Sequence, residues 1–152
     1  MLGSGDYPGR NRTMLIRPSS EDVKLIFFYS GKVILGVGMI MSVPLATALV
    51  CGEWNVALDF ALAMLACGTF WLFTESTCRV DRELGWMHGM IVVSLGWLLA
   101  MLLGAIPHML SGHFASYLDA CFDLMSGYTT TGMTPIKDLD HLSHGLNMWR
   151  HL

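Results

Sequence analysis

Three stretches of nearly unbroken apolar sequence, 25–50, 56–73 and 86–107, constrain this chain more than any other feature. Each is close to the run of about 20 residues that crosses a hydrocarbon core of about 30 Å. A soluble domain carries about 25% charged residues, whereas this chain of 152 residues carries 14%, against 53% hydrophobic. The sequence therefore predicts an integral membrane protein with three full spans. A polar region of more than 20 residues precedes the first run, and that run is too long for the core of a cleaved signal peptide. The net charge of −3 has no basic cluster of the kind nucleic acid demands.

Read along the chain, residues 1–18 are polar and contain glycine, and are expected to be a flexible N-terminus. "SSED" at 19–22 is a helix start, with a serine to cap free N–H groups and acids suited to the positive end of the dipole. The first helix is expected to reach about Val50, with Lys32 snorkelling to the interface and Pro44 kinking it. "CGEWN" at 51–55 is a tight polar turn. The second span is expected to end near Phe73, before a charged loop at 74–85, and the third to run from Trp86 to about Ile106, where Pro107 ends it. Arg10, Arg12, Arg17, Lys24, Lys32, Arg79 and Arg82, seven of the nine basic residues, fall on one side, which is expected to be cytoplasmic. Trp54, Trp71, Trp86 and Trp149 fall near span ends, as interfacial tryptophans do, and Trp97 does not. Cys51, Cys67, Cys78 and Cys121 form no CxxC pair and read as buried thiols. Gly36, Gly38, Gly85, Gly89, Gly96 and Gly104 read as points of close helix contact.

After Pro107 the pattern changes. "YLDACFDLMSG" at 117–127 has Tyr117, Leu118, Cys121, Phe122 and Met125 on one helical face and Asp119, Asp123 and Ser126 on another. Ser116 followed by Asp119 resembles a capping box. About 11 residues make a helix roughly 16 Å long, too short to span, so it is either interfacial or re-entrant. Gly127 is expected to end it. "TTTG" at 129–132 is β-branched and expected to be extended. Non-helical backbone at membrane depth is tolerated only inside protein or beside a water-filled cavity. A row of carbonyls facing such a cavity suits a dehydrated cation, each oxygen replacing a water of its shell. "MTPIKDLD" at 133–140 would then lead back to the outer surface.

This arrangement, with "LDACFDLMSGYTTTGMT" at 118–134 and "MWRHL" at 148–152 opening a further helix, resembles the first pore repeat of the Trk/Ktr/HKT superfamily of potassium transporters, in the TrkH-type form with two extra spans before it. The resemblance implies an all-α integral membrane protein: three transmembrane helices, then a re-entrant pore helix and an extended filter loop. It divides the chain into a cytoplasmic N-terminus (1–18), two accessory helices with their cytoplasmic loop (19–85), and an incomplete first pore repeat (86–152). It implies a K⁺ filter of Thr129, Thr130, Thr131 and Gly132, the glycine favouring K⁺. No cofactor is implied; K⁺ is the transported ion. The implied partners are the remaining pore repeats of a parent chain, a second copy in a homodimer, a cytosolic nucleotide-binding regulatory subunit and the lipid of the cytoplasmic membrane. The family carries four repeats, and one repeat alone is not expected to conduct.

Other residues leave alternatives open. Asp123 either attracts cations to the mouth or packs as a solvated polar group; Asp119 reads as a cap. Asp59 is an intramembrane ion site or, preferably, an interface carboxylate. His108, His113, His141 and His144 read as loop histidines near the outer surface rather than metal ligands, and Arg150 as structural at the outer interface. The alternative function is a non-transporting membrane anchor or assembly protein, with 129–132 only an outer loop. The sequence has no metalloprotease motif, phosphate-binding loop or nucleophile elbow, so an enzyme is not expected.

Overall fold

The computed structural model describes residues 20–79, 84–136 and 142–152, and their regular structure is all helical. The elements are α1 (Ser20–Ile40), α2 (Ser42–Val50), α3 (Trp54–Thr77), α4 (Trp86–Gly104), α5 (Ile106–Leu110), α6 (Tyr117–Tyr128) and α7 (His144–His151). Expectations for residues 1–18, Ser19, Arg82, Lys137, Asp138 and His141 lie outside the described residues.

Three helical paths are long and apolar enough to cross a membrane: Ser20–Val50, Trp54–Thr77 and Trp86–Leu110. Only 28%, 22% and 28% of their apolar windows is buried within the chain, so most of this surface needs lipid or further protein around it. Leu58, Leu62, Leu65, Phe73, Met90 and Val93 are all more than half exposed, a display that monomeric soluble proteins avoid.

Two prolines shape the long paths. A proline has no N–H, so the carbonyl four residues earlier loses its helical donor. Ahead of Pro44, the α1–α2 joint falls at Met41, and the path continues through Met41 N–H to Val37 O (3.1 Å) and Leu45 N–H to Met41 O (3.2 Å). The expected end of the third span at Pro107 is corrected. Helix resumes as α5, with Pro107 in its first turn, where a missing N–H costs nothing. The second span also outlasts its expected end at Phe73. The hydroxyls of Thr74 and Ser76 donate back to Trp71 O (2.9 Å) and Phe73 O (3.1 Å), so polar residues continue the helix to Thr77.

Small residues set the seams. A Cβ on Gly38 would lie 3.0 Å from the Cys67 Cβ, tying α1 to α3, and one on Gly96 would lie 3.3 Å from Val33 Cγ1, tying α4 to α1. Gly104 does the same between α4 and α6. Gly36 faces open space, and Gly85 and Gly89 meet only His88 and Leu84 of their own segment, so no helix contact forms at these three. Gly31, against Thr74, is a contact the sequence did not single out. Cys67 and Cys121 are buried, but Cys51 is exposed and Cys78 partly so; all four are free thiols. Trp54 and Trp86 are exposed, whereas Trp149, expected at the interface, is buried edge-on against Phe60 (6.3 Å). The central cluster of Ile34, Phe60, Cys67, Ala100, Leu124, Leu146 and Trp149 joins the spans to α6 and α7.

The contacts fix direction as well. Asp22 Oδ1 and His88 Nε2 lie 3.4 Å apart, and Gly31 meets Thr74, so the starts of α1 and α4 lie beside the end of α3. The α2–α3 turn lies at the other end. There Glu53 accepts from the backbone N–H of His144 (2.8 Å) and of Gly145 (3.1 Å) and meets the His144 ring (3.0 Å). Burial alone would raise the Glu53 carboxyl, but these donors hold it below its ordinary value of 4.5. It therefore anchors the first turn of α7 above that value, and the anchor is lost as pH falls through its lowered one.

Candidate cation-coordinating segment

The segment at 129–132 hangs from the end of α6. At the start of that helix, Ser116 is extended and its Oγ accepts from Asp119 N–H (3.2 Å), the expected cap. Asp119 stays partly exposed. The two faces are arranged inside out relative to a soluble helix: Leu118 is 78% exposed and Phe122 about half exposed, while Asp123 and Ser126 are buried with Ala120, Cys121 and Leu124. Cys121, expected beside Leu118 and Phe122, belongs to the buried side.

Gly127 does not end α6; it lies in the last turn, and the helix runs one residue further to Tyr128. Thr129 is the C-cap at φ −89°, and Thr130 turns left-handed at φ +55°. Thr130 N–H donates to Gly127 O (3.0 Å) and Thr131 N–H to Ser126 O (2.9 Å), with Gly132 N–H on the same Ser126 oxygen at 3.3 Å. The first two bonds are the Schellman closure of a helix. Its left-handed position is usually glycine, because a Cβ crowds the following carbonyl; here it is a β-branched threonine, the one non-glycine residue with positive φ among those described. The segment is thus not extended throughout. Thr129 and Thr130 turn, and only from Thr131 does the chain leave the helical path. Gly132 is also left-handed, at φ +74°.

All four residues are exposed. The Thr129 hydroxyl donates to Met125 O (2.9 Å) and lies 2.9 Å from the Thr131 hydroxyl. Among the described residues, no hydrogen bond reaches the carbonyl oxygens of 129–132. The N–H groups of this exposed tip are spent on the helix end.

Behind this tip lies a polar cluster that sequence reasoning missed. The Asp123 carboxylate is 4% exposed and is held by Arg150 from α7, Nε to Oδ2 at 2.9 Å and Nη2 to Oδ1 at 3.3 Å. His108, expected in an outer loop, is fully buried in α5 because helix resumes after Pro107; its Nε2 lies 3.6 Å from Asp123 Oδ2. Three successive elements, α5, α6 and α7, thus converge. The structure does not bring Asp59 to them: it sits half-buried on α3. His113 and His144 are exposed, and no group of three or more His, Cys, Asp or Glu among the described residues could share a metal ion.

No protein-family model matches the chain, and no solved structure matches it significantly. Curated proteins do. The chain is 32% identical over 136 residues to an uncharacterized cation transporter of Methanocaldococcus jannaschii, covering 90% of this chain and 28% of that protein. It is 30% identical over 132 residues to the Trk system potassium uptake protein TrkH of Halomonas elongata, covering 84% and 27%. A shorter match, 35% over 75 residues, links it to the Trk system potassium uptake protein TrkH of Salmonella typhimurium. The chain is a homologue of the Trk potassium uptake proteins. It spans about a quarter of the length of the first two relatives. With three helices able to cross a bilayer, this Trk-type chain is a multi-pass membrane protein.

Proposed function

We propose that this Trk-type chain builds the first pore repeat of a K⁺ uptake protein. In this reading α4 and α5 are its outer helix, α6 its re-entrant pore helix, 129–132 its filter and α7 the opening of its inner helix. The carbonyl oxygens of Thr129, Thr130, Thr131 and Gly132 take the place of water around K⁺. The negative end of the α6 dipole points at them. The parent chain supplies the remaining repeats, and a homodimer with a cytosolic nucleotide-binding partner completes the assembly.

The observation that carries this reading is the α6 terminus. A threonine held at φ +55° in a helix-closing turn, followed by a left-handed glycine, is a strained backbone of the kind that clusters at functional sites. Among the described residues, nothing donates to its four carbonyl oxygens, which would leave them to a ligand. Two further facts support the reading. The exposed Leu118 and Phe122 suit an apolar surround, and the polar face of α6 turns inward. Lys24 and Arg79 lie at the end of the bundle where α1 starts and α3 finishes, away from the Glu53 turn, which supports a cytoplasmic N-terminus and an outward-facing α2–α3 turn.

The test uses single cysteines at 129–132 in the intact transporter, expressed in cells lacking other K⁺ uptake, with Cys51, Cys67, Cys78 and Cys121 replaced. An impermeant thiol reagent is added outside. Bound K⁺ is expected to slow labelling at one or more of the four positions by about tenfold once K⁺ exceeds its dissociation constant by that factor. Labelling at all four that ignores K⁺ would mark 129–132 as an ordinary outer loop.

A further inference from the structure

We propose that Asp123 and Arg150 are a positioning pair that sets how the 129–132 segment discriminates among cations, by holding its supporting helix and by keeping the wall beside it electrically neutral. The proposal rests on the pore reading above.

Asp123 has leverage on the segment. Asp123 lies six residues before Thr129, about 9 Å along the helix. One turn on, on the same buried side, stands Ser126, whose carbonyl oxygen accepts both Thr131 N–H and Gly132 N–H. A displacement of α6 at Asp123 is therefore carried through a rigid turn and a half into the backbone that orients the free carbonyls. Arg150 holds the other side of the joint. Its two-point fork fixes orientation as well as distance, which a single ammonium cannot do. The adjoining Trp149 is locked in turn by its Nε1–H bond to Gly104 O (3.2 Å). The pair is braced from behind by His108, whose ring stacks at a tilt on Phe114 with centroids 5.2 Å apart. Neither ring nitrogen of His108 has a hydrogen-bond partner. At 3.6 Å its Nε2 lies beside Asp123 Oδ2 but beyond hydrogen-bond reach, so the two hydrogen bonds from Arg150 carry the joint.

The pair also sets the charge beside the segment. One groove of about 600 Å³ is lined by Asp123, Ser126 and Arg150 and also by Thr130 and Gly132. The pair and the candidate ligands therefore share a wall. Together Asp123 and Arg150 contribute no net charge to it. Either one alone leaves an uncompensated unit charge beside the path, buried in the case of Asp123 and partly buried in that of Arg150, in surroundings where charges are screened less than in water. The two single losses must then have opposite signs: a bare guanidinium repels an entering cation, and a bare carboxylate attracts cations without regard to size. A brace with no electrical role would respond to both losses alike.

The experiment measures Rb⁺ uptake and its inhibition by Na⁺ in cells carrying the intact transporter, normalised to the protein present in the membrane. Asp123→Asn is expected to raise KM for Rb⁺ about tenfold. Arg150→Gln is expected to leave that KM unraised and to make Na⁺ about ten times more effective as an inhibitor. The double variant is expected to return to within about threefold of wild-type KM. Single variants that fall in the same direction, with a double variant worse than either, would overturn the proposal in favour of a plain structural brace. If the single variants do not accumulate, Arg150→Lys keeps the charge and removes the fork. It is expected to hold KM near wild type while weakening discrimination against Na⁺; unchanged discrimination would overturn the proposal. A wild type that moves no Rb⁺ overturns the pore reading and this role together, whereas an active wild type with indifferent variants overturns this role alone.

Discussion

Two helix interruptions lie near one another, after Gly104 and after Tyr128, and they are finished in opposite ways. At the first, the ladder breaks at Ala105: its N–H still serves Met101 O and Leu103 O, but among the described residues no backbone N–H reaches Leu102 O or Gly104 O. Side chains from elsewhere replace those donors: the Tyr117 hydroxyl bonds Leu102 O, and Trp149 Nε1–H bonds Gly104 O. At the second, the N–H groups of 130–132 are consumed by the Schellman turn, and among the described residues nothing donates to the carbonyls of 129–132. A buried break is costly unless its polar groups are paired. The first break is healed and belongs to the scaffold. The second is left open on an exposed tip, as a segment that takes its partners from a passing ion would be.

The largest expected effect comes from forcing the healed break apart. A Cβ on Gly104 would lie 2.6 Å from Leu124 Cδ2 and 3.0 Å from Tyr128 Oη. Gly104→Val is expected to push α6 off α4 and to cost about 3 kcal/mol or more, the upper range of overpacking. Thermal unfolding in detergent reads this directly. A Tm within error of wild type would show that the α4–α6 seam does not hold the tip.

Less severe is the loss of one healing bond. Trp149→Phe keeps an aromatic ring near Phe60 but leaves the Gly104 carbonyl without its donor, at an expected cost of about 1–3 kcal/mol. Thermal unfolding again measures it. A neutral result would mean that water replaces the indole and that the break is less dry than its burial indicates.

The smallest effect should come from the open break, and with the opposite sign. Thr130→Gly removes a left-handed penalty of about 1–2 kcal/mol and adds about 0.5–1 kcal/mol of backbone entropy cost. The net expectation is a Tm equal to or slightly above wild type, together with weaker discrimination between Rb⁺ and Na⁺. A clear loss of stability would mean that the threonine serves the fold.

The same contrast explains what the sequence made legible. The three spans depend on composition summed over about 20 residues, and that sum survives almost any packing; only their ends moved, at Thr77 and Leu110. The Ser116 cap and the position of the helix before 129–132 rest on local chemistry and were also readable. The cluster behind the tip was not. Asp123 and Arg150 are 27 residues apart, and Glu53 lies 91 residues from His144. His108 follows a proline and reads as loop; it is buried only because the helix restarts there. A periodicity argument sorts α6 into polar and apolar faces but cannot say which turns inward, because lipid reverses the choice that water would make.

The central claim is that the main-chain oxygens of 129–132 coordinate the transported cation. Crystals of the intact transporter grown in Rb⁺ and measured at its absorption edge test it most directly. The account predicts an anomalous peak within coordination distance of two or more of those four oxygens, diminished when Na⁺ replaces Rb⁺. Anomalous peaks that leave these oxygens uncoordinated, in a preparation that still transports Rb⁺, would contradict it.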